Sequence, residues 1–175
     1  MLSLYNVIII MIDGGRYDKS INSDFYKKLK EKSVFFSQPI TYAPHTIAAM
    51  HAMFSGCYGI RTGTDSYWST YKFKKNQFKT ITEYLHDQNY YTSADIVSEI
   101  VIPKQGFDEF QIHDEQKDDL TLRHLELIEK TYTNNKNKNF FLYLQFSNIH
   151  TGISNEVLQE YDNFSEEYFQ NKKLN

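Results

Sequence analysis

The sequence has little cysteine and no long apolar run, the features that form disulfides and membrane spans. It has one cysteine, Cys57, so it cannot form an internal disulfide, and cysteine usage gives no support for secretion. The first apolar run, residues 7–12, is far shorter than the ~20 residues of a membrane span and lacks the basic flank of a signal peptide. These features predict a cytoplasmic protein without a membrane span.

The chain also has little excess charge. Its formal net charge is −3 over 175 residues, which argues against nucleic acid as the main partner because phosphate-backbone binding needs a basic surface. Residues 72–79 interleave four lysines with two phenylalanines, a pattern that can bind single strands. A solvated loop with two anchoring rings is the more common explanation, and we favour it. We therefore expect no nucleic acid partner.

Apolar segments alternate with amphipathic ones along the chain. This alternation predicts an α/β fold with a mainly parallel sheet, built as a three-layer sandwich. The first strand is a β-branched run of the kind that is buried on both faces of a sheet. The predicted strands cover 5–12, 34–37, 90–97 and 139–146, the helices 24–32, 46–54, 79–88 and 118–132, with an irregular stretch over 98–115. Residues 1–154 are predicted to form the domain, followed by a polar tail over 155–175 that is compatible with a helix.

Three polar residues fall at the ends of predicted elements. Asp13 follows the first strand, Thr46 opens a helix after Pro44, and His150 follows the last strand. Ligands of open α/β sheets bind beyond the carboxyl ends of the strands, so all three side chains could face one crevice. Each also has a structural explanation: a turn former for Asp13, a helix N-cap for Thr46 and a surface loop for His150.

These residues offer a candidate metal ligand, a candidate nucleophile and a candidate anion contact. A carboxylate such as Asp13 can bind a hard divalent metal. The Thr46 hydroxyl becomes a nucleophile if a metal activates it, and the helix terminus beneath it favours an anion. His150 could contact an anionic substrate or protonate a leaving group. His45 and His51 flank Thr46, and one of them could line the same site.

Several segments, in order, resemble the sulfatase-type branch of the alkaline-phosphatase-like superfamily. The resemblance covers residues 5–151, and the spacing from Thr46 to Gly56 matches that from the family's nucleophile to a helix-closing glycine. It implies an alkaline-phosphatase-like fold, with Asp13 and Thr46 as metal ligands, Thr46 as nucleophile, and His150 as a substrate contact. His45 is a further candidate substrate contact because it flanks Thr46. The segments are NVIIIMIDGGRYD (6–18), TYAPHTIAAMHAMFSG (41–56), GFDEF (106–110) and NFFLYLQFSNIH (139–150).

The departures from the family pattern are as informative as the matches. Sulfatases proper carry a cysteine or serine that is converted to formylglycine, whereas this chain has Thr46, which cannot be converted. Threonine nucleophiles occur in the phosphoester-acting, phosphonate-acting and phosphoglycerol-transferring members, so the resemblance implies a phosphate ester in preference to a sulfate ester. Gly14 stands where a second aspartate is common.

The family's later Ser-Asp-His-Gly segment, which supplies further metal ligands, does not occur in this sequence. Two hypotheses follow. The chain is the N-terminal portion of a hydrolase or transferase that uses Mn, Mg, Ca or Zn, with a C-terminal complementary chain supplying the remaining ligands. Alternatively, it is an inactive remnant that binds an anion or a partner. In either case the fold is expected to be incomplete at its C-terminal end.

Overall fold

The structure, a computed structural model, describes residues 5–66, 69 and 72–152. A four-stranded sheet has the order β1-β4-β2-β3, and its neighbouring strands pair in parallel, as predicted. The strands are β1 (Val7–Ile12), β2 (Tyr91–Ile96), β3 (Glu109–Ile112) and β4 (Phe140–Phe146). The helices are α1 (Tyr17–Ser20), α2 (Asp24–Glu31), α3 (Thr46–Ser55), α4 (Gly59–Thr62), α5 (Ile81–Asp87), α6 (Leu120–Asn134) and α7 (Asn148–Gly152).

Helices cover the sheet on both faces. Alternate side chains of a strand point to opposite faces, so Phe141 and Tyr143 of β4 face α3, where Phe54 packs edge-on against both rings. Phe146 lies on the other face, where the ring of His124 of α6 meets it at 4.5 Å. The α/β prediction with a parallel sheet between helices is therefore confirmed.

Two predictions about strands were wrong. Residues 34–37 form no strand, because Val34 and Phe36 are exposed and pair with no neighbouring strand among the described residues. The stretch 98–115, expected to be irregular, contains β3, which pairs with β2 from Ser93↔Glu109 to Ile96↔Ile112. An edge strand of four residues, none of them fully buried, carries too short a pattern to stand out. The tail over 155–175 lies outside the described residues.

The position of β1 differs from what its sequence indicates. The run Val7–Ile12 was expected to be buried on both faces, yet β1 pairs only with β4 and lies at one edge of the described sheet. Ile8, Ile10 and Ile12 remain 42%, 57% and 40% exposed. In the described part of the chain β1 is thus an apolar edge strand, an arrangement that natural proteins usually cover or pair.

None of the helices in the described part of the chain combines the length and the apolar content that a bilayer crossing requires.

Gly106, in the GFDEF segment, packs closely against the backbone at the start of α5. Its φ is +78°, and a Cβ there would lie 2.4 Å from the Glu83 backbone nitrogen at the start of α5. We expect Gly106→Ala to lower the free energy of unfolding by about 3 kcal/mol, since backbone strain and overpacking add. Gly56→Ala is the matched control, because Gly56 has φ +63° but nothing within 4 Å of the added Cβ. Urea unfolding should show a loss of only about 1 kcal/mol for this control; equal losses would contradict the packing argument.

Candidate active site

The site begins where β1 ends. Asp13 follows Ile12, and its backbone N–H donates to the carbonyl of Phe146 at 2.9 Å, which continues the pairing with β4 by one residue. Ile9 and Met11 pack into the core on the α3 face, so the alternation of the strand sends Asp13 to the same face. The carboxylate therefore meets the first turn of α3.

Thr46 is the first residue of α3 and donates its hydroxyl hydrogen to Asp13, with Oγ1 and Oδ1 3.1 Å apart. The N-cap expected of Thr46 is instead His45, whose Nδ1 accepts from the backbone N–H of Ala48 at 3.4 Å. Because His45 caps the helix, the Thr46 hydroxyl is available to Asp13. The two predicted ligands, 33 residues apart in sequence, are in direct contact.

Gln145 is a further member of the site that the sequence interpretation missed. Its Nε2 donates to Asp13 Oδ2 at 3.0 Å, and its Oε1 accepts from the Val97 backbone N–H at 3.1 Å. The side chain is fully buried. A glutamine within the otherwise apolar and aromatic strand FFLYLQF was the available signal, because a polar residue in a buried strand needs a partner. Both oxygens of Asp13 are thus held by this chain's own donors.

His150 lies in the short helix α7 just after β4 and is exposed. The backbone of His150 lies next to Gly14, because a Cβ added at Gly14 would be in ordinary contact, at 3.5 Å, with the backbone nitrogen and Cα of His150. The φ of Gly14 is +75°, a left-handed conformation that favours glycine at this position. The backbones of the predicted substrate contact and the predicted metal-ligand loop are therefore adjacent.

A cavity of about 450 Å³ joins these residues. Its wall contains every predicted site residue and adds one carboxylate, Glu115. The lining is Asp13, Gly14, Pro44, His45, Thr46, Ile47, Val97, Ser98, Ile100, Val101, Glu115 and His150. A larger depression of about 730 Å³ opens elsewhere, but its lining, which includes Asn6, Tyr132 and Lys136, contains none of the predicted site residues.

His51, the other histidine near Thr46, does not line this cavity. It is buried in α3, and its Nε2 lies 3.3 Å from the Ile100 carbonyl, to which it donates when that nitrogen carries the hydrogen. Its Nδ1 has no hydrogen-bond partner in the described structure. Burial lowers the pKa of His51 to about 4, although the contact with Ile100 opposes the shift. The neutral ring therefore ties α3 to the loop that forms one wall of the cavity.

The His51 shift predicts a pH-dependent stability. The unfolded chain binds the proton as the pH falls below about 6.5, while the folded chain binds it only near pH 4, so stability is full above pH 6.5 and declines below it. We expect a loss of up to about 3 kcal/mol across that interval, measured by urea unfolding. His51→Gln should flatten this decline. The same change at the exposed His86 is the control, and an unchanged decline in His51→Gln would contradict the assignment.

The oxygen pair of Asp13 and Thr46 fits the ligand chemistry of a hard divalent metal, whose neighbouring oxygen ligands stand about 3 Å apart. Two protein ligands leave such an ion under-coordinated. Glu115 is the other carboxylate that lines the cavity. Within the described residues the site thus holds part of a metal-binding set.

Comparison with known proteins identifies the family of the chain. The family model for sulfatases matches residues 5–173, and the chain belongs to the sulfatase family. A solved structure of BT4656, in complex with its substrate D-glucosamine-2-N,6-O-disulfate, is similar with a TM-score of 0.64 and 17% sequence identity. The match covers 81% of this chain and 34% of that one, so this chain corresponds to about a third of the other's length. No curated protein sequence matches significantly.

Proposed function

We propose that this chain carries the nucleophile part of a sulfatase-like site that cleaves or transfers phosphate esters, with sulfate esters as poorer substrates. The contact between Thr46 Oγ1 and Asp13 Oδ1 carries the proposal, because it joins a candidate nucleophile to a candidate metal ligand at the mouth of a cavity. The choice of phosphate rests on Thr46 itself, since threonine cannot become the formylglycine that sulfatases proper use.

In the proposed reaction each residue of the site has a separate role. Thr46 Oγ1 attacks phosphorus and forms the new bond while the bond to the ester oxygen breaks, and His150 gives the departing oxygen a proton. The proton of Thr46 is directed at Asp13 Oδ1. Gln145 fixes the other carboxylate oxygen, so Asp13 keeps its orientation. Water or an alcohol then attacks phosphorus and gives its proton to His150, while the bond from phosphorus to Thr46 Oγ1 breaks and the proton held by Asp13 returns to that oxygen. Water as the acceptor gives hydrolysis, and an alcohol gives transfer.

Asp13 and Thr46 would hold a divalent metal, for which Mn, Mg, Ca and Zn all remain candidates. Bound there, the metal would supply positive charge that favours the ionised threonine and the charge developing on the phosphoryl oxygens. His45 and His150 both line the cavity and would contact the substrate anion.

We further propose that a complementary segment pairs with the exposed edge of β1 and supplies the remaining metal ligands. Among the described strands β1 pairs only with β4, so its other edge has no partner strand, and Ile10 is 57% exposed on a strand whose sequence is typical of a buried one. Asp13 directly follows this strand, so a parallel strand added there would end beside the Asp13 carboxylate. The match to about a third of the length of BT4656 is consistent with such a missing portion.

The experiment assays the chain alone and co-expressed with any sulfatase-type segment encoded downstream of it. Substrates are para-nitrophenyl phosphate, bis-para-nitrophenyl phosphate and para-nitrophenyl sulfate, each with Mn, Mg, Ca or Zn. We expect metal-dependent turnover of a phosphate ester only with the complement, and less with the sulfate. Higher turnover of the sulfate would refute the choice of phosphate. No turnover and no metal binding with the complement present would favour the inactive anion- or partner-binding alternative.

A further inference from the structure

A second group of potential metal ligands lies on the opposite face of the sheet from Asp13. Asp95, His113 and His124 are all buried, and one ligand atom from each can be chosen so that all three lie within 4.8 Å of one another. None of these residues lines the cavity of the candidate active site. The proposed phosphoester chemistry leaves this group without a role.

Three separate elements bring the group together. Asp95 is near the end of β2, and the alternation of the strand places it on the α6 face, while its neighbour Ala94 points into the core beneath α3. His113 follows β3 directly, with its backbone N–H donating to the Ile96 carbonyl at 2.9 Å. His124 is one turn into α6. A bound ion would therefore connect β2, β3 and α6.

Each histidine has a ring nitrogen near a different oxygen of Asp95, at a distance that also suits neighbouring ligands of a tetrahedral ion. His113 Nδ1 lies 3.4 Å from Asp95 Oδ1, and His124 Nε2 lies 3.2 Å from Asp95 Oδ2. Neighbouring ligands of tetrahedral zinc, bound at about 2.0–2.1 Å, stand roughly 3.3 Å apart. His124 is 2% exposed, and neither of its ring nitrogens makes a well-directed hydrogen bond within the described structure. A buried neutral imidazole needs a hydrogen-bond acceptor for its N–H group, and a hydrogen-bond donor or a metal ion for its other nitrogen.

The outer contacts are those that orient metal ligands. Ser147 Oγ lies 3.0 Å from His113 Nε2, which leaves Nδ1 facing Asp95 when Nε2 carries the hydrogen. Arg123 Nε donates to Asp95 Oδ2 at 2.7 Å, leaving Oδ1 toward His113. The positive charge of Arg123 is shared with Asp118, which is 3.5 Å from its NH1 atom.

We propose that Asp95, His113 and His124 bind one structural zinc ion, with a water molecule as the fourth ligand. Two imidazoles and one carboxylate favour zinc over magnesium and calcium, which prefer all-oxygen sites. The ion would fix the β3 edge and α6 to the centre of the sheet, independently of any catalytic metal.

The test uses the full 175-residue chain carrying Asp13→Asn and Thr46→Ala, which removes the candidate catalytic ligands. After chelator treatment, zinc is added back and measured by equilibrium dialysis with elemental analysis. We expect one tightly held zinc, and at zinc 100-fold above Kd a rise in the unfolding midpoint of about 5–10 °C. Cobalt substituted for zinc should give the strong visible absorption of a tetrahedral site.

Adding His124→Asn should abolish the bound zinc, the midpoint shift and the cobalt absorption, and His113→Asn serves if the first variant does not fold. His86→Asn, at an exposed histidine outside the group, is the matched control and should keep all three. Absence of stoichiometric zinc from the Asp13→Asn, Thr46→Ala background would overturn the proposal and leave a metal-free ion network. Equal midpoint shifts with and without His124 would overturn it as well. Neither outcome depends on turnover, so the proposed function is tested separately.

Discussion

Thr46→Ala should abolish turnover of the complemented enzyme, with a fall in kcat of about 10⁴-fold or more, because removing a covalent nucleophile eliminates the step that it performs. Its only side-chain hydrogen bond in the described structure is the one to Asp13, so the folded state should lose little stability. The measurement is steady-state hydrolysis of the best phosphate ester at saturating metal, alongside urea unfolding of both proteins.

Two further variants separate the role of the Thr46 hydroxyl from the role of the side-chain shape. Thr46→Ser keeps the hydroxyl and should retain activity, whereas Thr46→Val keeps the shape and should not. Thr121→Ala, at an exposed position in α6, is the control for threonine loss. Mass spectrometry of the acid-quenched enzyme should find one phosphoryl group on Thr46. Full activity in Thr46→Val, or a phosphoryl group on another residue, would remove Thr46 from the nucleophile role.

The long elements were predictable because each carries a repeated local signal. The apolar runs of β1 and β4 and the helical spacing of α6 extend over enough residues to specify their type, and the structure confirms them. The strand predictions that failed concern segments whose structure depends on a neighbouring strand. Val34 and Phe36 look like strand residues but find no partner strand, and β3 is a strand only because β2 offers it an edge.

For the candidate site, the sequence predicted that Asp13 and His150 follow strands and that Thr46 opens a helix, and all three line one cavity in the structure. Local pattern could not assign the cap to His45, because that depends on the backbone geometry at the start of α3. It could not show that Gln145 holds Asp13, a contact across 132 residues. The buried group around Asp95 was missed for the same reason: its three members come from elements that only the folded sheet brings together.

Asp95→Asn should cost about 3 kcal/mol of unfolding free energy in the presence of a chelator. Burial alone would raise the pKa of Asp95, but His113, His124 and Arg123 outweigh it and hold the pKa well below the usual range for a carboxyl group. Removing the charge leaves Arg123 without its closest carboxylate. The estimate is the lower end of the range for breaking a buried ion pair, since the Arg123 side chain is 30% exposed and can reach water.

The pH dependence distinguishes this ion network from simple loss of packing. A carboxyl group whose folded pKa is depressed contributes its stability above the unfolded value near 4, and loses it as the pH falls toward the folded value. The difference between wild type and Asp95→Asn should therefore shrink as the pH falls below about 4. Asp87→Asn, in an exposed pair with Lys79, is the matched control and should change stability by less than about 1 kcal/mol. If the difference in unfolding free energy between wild type and Asp95→Asn stayed the same in acid, packing and not charge would explain it. The charge of Asp95 would then have no part in holding β2, β3 and α6 together.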